Sequence, residues 1–334
     1  MNVWRHRATG LVWITMLCLT MASVLFGCTT SRQERASTPE PRKVALAMGF
    51  IPNVQFTPVY VAVDKGYFAD ENLTIEFDYG METDLLKLVG TDERQFVIGS
   101  GDQVILARNQ GLPVVYVLNW YRRFPVAVAA LKPLQSPQDL VGKSVGIPGL
   151  YGASYIGWQA LLSAAAIQAN DVKLVSIGYT QVESMVAGQV DAAVVYAMNE
   201  PVQLRQQGFQ VSVIEVADYV DFVSNGLITN EKTIKEHPEL VRSVVRAITR
   251  GLADTLNDPD DAFAICRKHV PGVDDVSAPL QRAVLQEALG FWRADKPGQS
   301  DPAAWKTSVD FMRQIGMIET ELDPTTCYTN QFVP

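Results

Sequence analysis

The order of short apolar runs and longer amphipathic stretches limits this chain to few folds. Residues 43–48, 73–79, 95–99 and 113–120 read as strands; residues 58–67, 82–89 and 101–109 between them carry helical spacing. Strands alternating with helices predict βα units and a mostly parallel sheet. The pattern then restarts. Ser136-Pro137 opens a short capped turn. Strands follow at 143–147, 172–177, 191–196 and 210–216, with helices at 151–167, 181–187 and 200–207. Beyond residue 225 the texture becomes helical, at 238–256, 259–269, 278–291 and 302–315. The expected architecture is α/β with two lobes. Residues 43–131 and 225–334 form the first, and residues 132–224 form the second as an insertion. Two lobes joined by two crossings leave a cleft, and ligands of open α/β sheets bind outside the carboxyl ends of the strands. Closure about the hinge is the motion such a layout permits.

The N-terminus reads differently. Arg5, His6 and Arg7 precede an uncharged, mostly apolar run over residues 11–26, which is too short for an ordinary membrane span of roughly 20 residues. This describes a secretory signal over residues 1–28. Its Leu25-Phe26-Gly27-Cys28 ending resembles the lipobox of bacterial lipoproteins, which implies acylation of the Cys28 thiol. Residues 29–42 are Ser-, Thr-, Pro- and charge-rich and read as a flexible tether. The expected location is therefore the extracytoplasmic face of the cell membrane, held by lipid.

Of the four cysteines, Cys18 lies in the removable segment and Cys28 is the lipid site. Cys266 and Cys327 remain, either as a disulfide, which an exported protein permits, or as two separate buried thiols. No Cys-x-x-Cys or His/Cys cluster suggests a metal. The net charge of −8 disfavours nucleic acid as a partner.

Several segments carry a family resemblance. Gly49-Phe50-Ile51-Pro52-Asn53, then Pro58-Val59-Tyr60-Val61-Ala62, Lys65-Gly66-Tyr67-Phe68 and Asn72-Leu73-Thr74-Ile75-Glu76 resemble the opening of the NMT1/THI5-like solute-binding proteins. Asp139-Leu140-Val141-Gly142-Lys143-Ser144-Val145-Gly146 resembles that family's entry to the second lobe, and Gly188-Gln189-Val190-Asp191-Ala192 its turn before a strand. Ser100-Gly101-Asp102-Gln103, Trp120-Tyr121-Arg122-Arg123-Phe124-Pro125 and Gly149-Leu150-Tyr151-Gly152-Ala153-Ser154 look like the riboflavin-binding lipoproteins of the RibY type. The resemblance implies a periplasmic-binding-protein type II fold. It also implies a monomer that hands a small aromatic heterocycle to an ABC permease and ATPase pair. Riboflavin is then cargo and no cofactor is expected. The alternatives are a thiamine-precursor pyrimidine or a sulfonate-type solute, the latter served by Arg122 and Arg123.

Candidate ligand-binding residues sit where strands end. Asn53, Gln55 and Phe56 combine edge hydrogen-bonding groups with an aromatic face. Ser100, Asp102 and Gln103 offer a carboxylate and an amide, or else cap a helix. Trp120 and Tyr121 stack on a ring or pack the hinge. Gly152 and Ser154, with Tyr151, open a helix whose free N–H groups suit acceptor atoms. Tyr179, Tyr196, Asn199 and Glu200 complete the set, the last three where the family places cleft residues. The pyrimidine synthases that share this fold use a cysteine-rich tract and a histidine. This chain has no Cys run and only His6, His237 and His269, so an enzyme is not expected.

Overall fold

The computed structural model describes residues 40–334; the signal, Cys28 and nearly all of the proposed tether lie outside the described residues. Strand β1 (Arg42–Met48) leads through a 3-10 turn to helices α1 (Thr57–Asp64) and α2 (Tyr67–Asp70). Sequence pattern alone merges these two into one helix. Gly66, at φ +76°, breaks it, because only glycine takes that left-handed backbone freely. Next come β2 (Leu73–Tyr79), α3 (Glu82–Gly90), β3 (Phe96–Ser100), α4 (Gly101–Asn109) and β4 (Val114–Asn119).

The chain then crosses to a second sheet. There it forms β5 (Val126–Ala130), β6 (Ser144–Ile147), α5 (Gly152–Ala164), β7 (Lys173–Ser176), α6 (Gln181–Val186), β8 (Ala192–Tyr196), α7 (Glu200–Gln206) and β9 (Ser212–Glu215). It returns as β10 (Asn225–Asn230), followed by α8 (Glu231–Glu236), α9 (Pro238–Asn257), α10 (Pro259–His269), α11 (Ala278–Trp292) and α12 (Pro302–Gln314).

Both sheets are five-stranded, in the orders β2-β1-β3-β10-β4 and β7-β6-β8-β5-β9. In the first, β1 runs parallel to β2 and β3 while β10 is antiparallel to β3 and β4. In the second, β6 runs parallel to β7 and β8 while β5 is antiparallel to β8 and β9. The antiparallel member of each sheet is the strand made directly after a crossing. This moves one expected boundary. Residues 126–130, read from sequence as part of the first lobe, pair in the second sheet, so the chain crosses between Asn119 and Val126. Val126–Ala130 is buried throughout, and such a short run carries no period by which to assign it.

The two crossings are held side by side. Trp120 N and Tyr121 N both donate to Asn225 O, at 3.1 and 2.9 Å. Arg122 pairs with Asp221 at 3.2 Å, and Arg123 with Glu215 at 2.7 Å and Asp218 at 2.9 Å. The end of α11 anchors the first crossing, where Phe291 O accepts from the N–H groups of Arg122 and Arg123. The helical return covers the first sheet. The apolar side of α9 lies on α1, and Gly251 permits the approach: a Cβ there would stand 2.1 Å from Pro58 O. Cys266 and Cys327 are separate buried thiols, not a disulfide, and burial pushes both up to about 11. No described helix is long and apolar enough to cross a membrane.

Candidate functional site

A cavity of about 660 Å³ opens between the lobes at the carboxyl ends of β1, β3, β6, β7 and β8. That volume suits a small-molecule site. Lobe 1 contributes Asn53, Gln55 and Phe56 from the turn after β1, Glu82 and Leu86 from α3, and Gln103 from α4. Lobe 2 contributes Tyr151, Gly152 and Ser154 at the start of α5, Tyr179 after β7, and Tyr196, Asn199 and Glu200 after β8. Trp120 and Tyr121 line it from the crossing.

The structure thus brings most of the sequence-selected residues to one cavity, in different roles. Asn53 is partly spent locally, since its Oδ1 accepts from Gln55 N at 2.9 Å. Gln55 Oε1 in turn accepts from Tyr121 Oη at 3.2 Å. Tyr121 and Trp120 form the inner end of the cavity. Trp120 is only 2% exposed and packs against Trp292 at 5.9 Å and edge-on to Phe56 at 6.4 Å. It belongs more to the hinge core than to an open stacking face. Tyr179 is the reverse, at 64% exposed, and meets Phe50 of the opposite lobe at 6.3 Å between ring centroids. These two rings span the cleft. Gly152 starts α5 at φ +65°, which explains a glycine there, and its neighbours Ala153 and Ser154 leave first-turn N–H groups near the cavity.

Two of the selected residues do not line the cavity. Ser100 and Asp102 lie behind it, both 3% exposed. Neither side chain caps α4. Ser100 directs its N–H and Oγ–H to Glu82 Oε1, at 2.5 and 2.6 Å. Asp102 Oδ2 accepts from Gln103 Nε2 at 2.9 Å, and its Oδ1 is buried without a partner. Arg122 and Arg123 are also outside the lining, engaged in the hinge ion pairs.

Sequence reasoning missed Glu82. It is the first residue of α3, and its carboxyl sits where two glycines make room. A Cβ at Gly49 would lie 3.1 Å from Glu82 Cγ, and one at Gly99 would lie 3.0 Å from Glu82 Oε1. Desolvation, then the neighbouring Asp102, pushes the Glu82 carboxyl up to about 7, against the donors from Ser100. Burial likewise raises Asp102 and Glu200. Glu200 is held by Tyr196 N at 2.9 Å and Asn199 Nδ2 at 3.1 Å. Pairing Gly80-Met81-Glu82 with the strand end at Gly99-Ser100 would have flagged the site, but those segments meet only in the fold.

An aromatic-walled cavity at the strand ends of two lobes is the arrangement the family resemblance implies. Residues 53–262 match the model of the NMT1/THI5 like family. The chain belongs to that family. It is 43% identical to the riboflavin-binding protein RibY of Chloroflexus aurantiacus over 89% of this chain and 87% of that one. It is 27% identical to the formylaminopyrimidine-binding protein of Halalkalibacterium halodurans, covering 87% and 91%. The periplasmic aliphatic sulphonate binding protein SsuA of Escherichia coli superposes with a TM-score of 0.70 over 85% of this chain and 96% of its own, at 14% identity. That likeness is one of fold.

Proposed function

We propose that this protein is an extracytoplasmic solute-binding lipoprotein of an ABC importer that captures riboflavin in the inter-lobe cleft and delivers it to the permease. The observation that carries the reading is the cavity: about 660 Å³, at the strand ends, with aromatic rings from both lobes and amide and carboxyl groups between them. Flat rings gain from such faces, and ring N–H and carbonyl edges need such polar partners. The 43% identity to a riboflavin-binding protein over nearly the whole chain supports the choice of ring. A carrier rather than a catalyst is the reading that the 43% identity to a riboflavin-binding protein supports. It works as a monomer tethered through lipid on Cys28.

The direct test is to purify the full chain in detergent, denature it, and record the absorbance of what is released, then titrate riboflavin against its own fluorescence. A yellow extract or sub-micromolar quenching is expected. A colourless protein without quenching rejects riboflavin and turns the search to the pyrimidine precursors and sulfonates. Cys28→Ser should shift the protein from the membrane to the soluble fraction. Retention of that variant on membranes would reject the lipid anchor.

A further inference from the structure

The charge of the cavity wall bears on which form of a ligand can enter. Each lobe places a carboxyl on the wall. Glu82 faces from lobe 1, with Asp102 directly behind it, and Glu200 faces from lobe 2. The Glu82 Oε1 is taken by the two donors of Ser100, while Oε2 has no hydrogen bond to the protein among the described residues. Asp102 Oδ1 is likewise unpartnered. Against these stands one cationic side chain among the lining residues, Lys87. It is 63% exposed and lies 3.8 Å from Asp84. The arginines nearest the hinge are committed to Asp221, Glu215 and Asp218. The first-turn N–H groups of α5, and those of α3 where Met81, Glu82 and Thr83 line the cavity, also attract an anion. A helix terminus contributes about half a unit charge, while each ionised carboxyl contributes a whole one. A polar wall of this kind accepts N–H and O–H groups and opposes a phosphate.

We propose that the cleft selects by charge, admitting an uncharged heterocycle and rejecting its phosphate monoester, through Glu82 backed by Asp102 on one wall and Glu200 on the other. This rests on the vitamin-binding reading above and refines it. A dianionic phosphate brought into a partly desolvated site with these carboxyls should bind on the order of tenfold to a hundredfold more weakly than the free alcohol.

The experiment measures dissociation constants for two pairs on the full chain in detergent at pH 8. The pairs are riboflavin with flavin mononucleotide, and hydroxymethylpyrimidine with its monophosphate. The same constants are measured for Glu82→Gln and Glu200→Gln, with circular dichroism to establish that each variant is folded. The readout is the ratio of phosphate to alcohol constants within one pair. A ratio of ten or more that shrinks in at least one variant supports the proposal. Equal binding of riboflavin and its phosphate overturns charge selection and leaves the riboflavin reading standing. Binding of the pyrimidine pair alone rejects riboflavin, and its own ratio then decides the charge question. A large ratio unchanged in both variants assigns rejection to size and overturns the role of the carboxyls. Binding of neither pair overturns this inference together with the reading beneath it.

Discussion

Glu82→Gln should stabilise the ligand-free protein at alkaline pH, even though it removes a charge that two hydrogen bonds support. The folded protein raises this carboxyl from 4.5 to about 7, chiefly by desolvation and then by Asp102. A group that holds its proton more tightly folded than unfolded lowers stability as pH rises between those two values. Below about pH 4.5 both states are protonated and the effect vanishes; above about pH 7 it is fully present. At ~1.4 kcal/mol per pKa unit the bound is ~3 kcal/mol. Glu82 is only half-buried, so water in the cleft screens it and ~1–2 kcal/mol is the working figure. Glutamine keeps an oxygen for Ser100 N and Oγ but carries no charge to desolvate.

The assay is urea or thermal denaturation of both proteins from pH 4.5 to 8.5. The variant should match the wild type near pH 4.5 and exceed it at pH 8 by roughly 2–3 °C in melting temperature. Asp64, Asp92, Asp191 and Asp254 sit below the usual carboxylate range, so their contributions are lost only in acid below this window. Asp102 and Glu200 shift in the same direction as Glu82 and remain in the variant; because Asp102 adjoins Glu82, neutralising Glu82 also relieves Asp102, so the difference between the two curves reports the Glu82–Asp102 pair. A flat difference, or a variant less stable at pH 8, would show that Glu82 is ionised and held by Ser100, and the desolvation argument would fail.

Gly251→Ala drives a Cβ to 2.1 Å from Pro58 O and 2.9 Å from Ala62 Cβ, and should cost ~1–3 kcal/mol in urea unfolding; an unchanged midpoint would refute the packing of α9 on α1. Trp120→Ala should cost ~3–5 kcal/mol because this ring is buried against Trp292 and Phe56, so loss of binding in that variant would not isolate a stacking role; a change under 1 kcal/mol would contradict the hinge-core placement. Tyr179→Ala should leave stability within ~0.5 kcal/mol while speeding ligand release roughly 2- to 12-fold in stopped-flow, the equivalent of one aromatic contact; unchanged release would remove the Phe50–Tyr179 pair from ligand retention.

Much of the cavity was legible because binding groups of α/β lobes follow strand ends, and strand ends can be read from patterning. Asn53, Gln103, Tyr151, Tyr179 and Glu200 follow from that rule, and all line the cavity. Sequence could not separate neighbours by depth. Asp102 and Gln103 are adjacent in the chain, yet one is buried behind the wall and the other lines it. Trp120 and Tyr179 were equivalent as aromatic residues at strand ends; burial separates them, and burial depends on α11 delivering Trp292 from far along the chain.

Local patterning is enough for the alternation of strands and helices, the restart that makes two lobes, and the family resemblance. These follow from local hydrophobic period, turn residues and motif spacing, all of which act over a few residues. The tertiary structure decided which strands turn antiparallel after each crossing, where residues 126–130 pair, and how Glu82 comes to rest between Gly49 and Gly99 beside Asp102. Those outcomes depend on strand order and desolvation. Both arise only when segments distant in the chain exclude water together, and no local pattern records that.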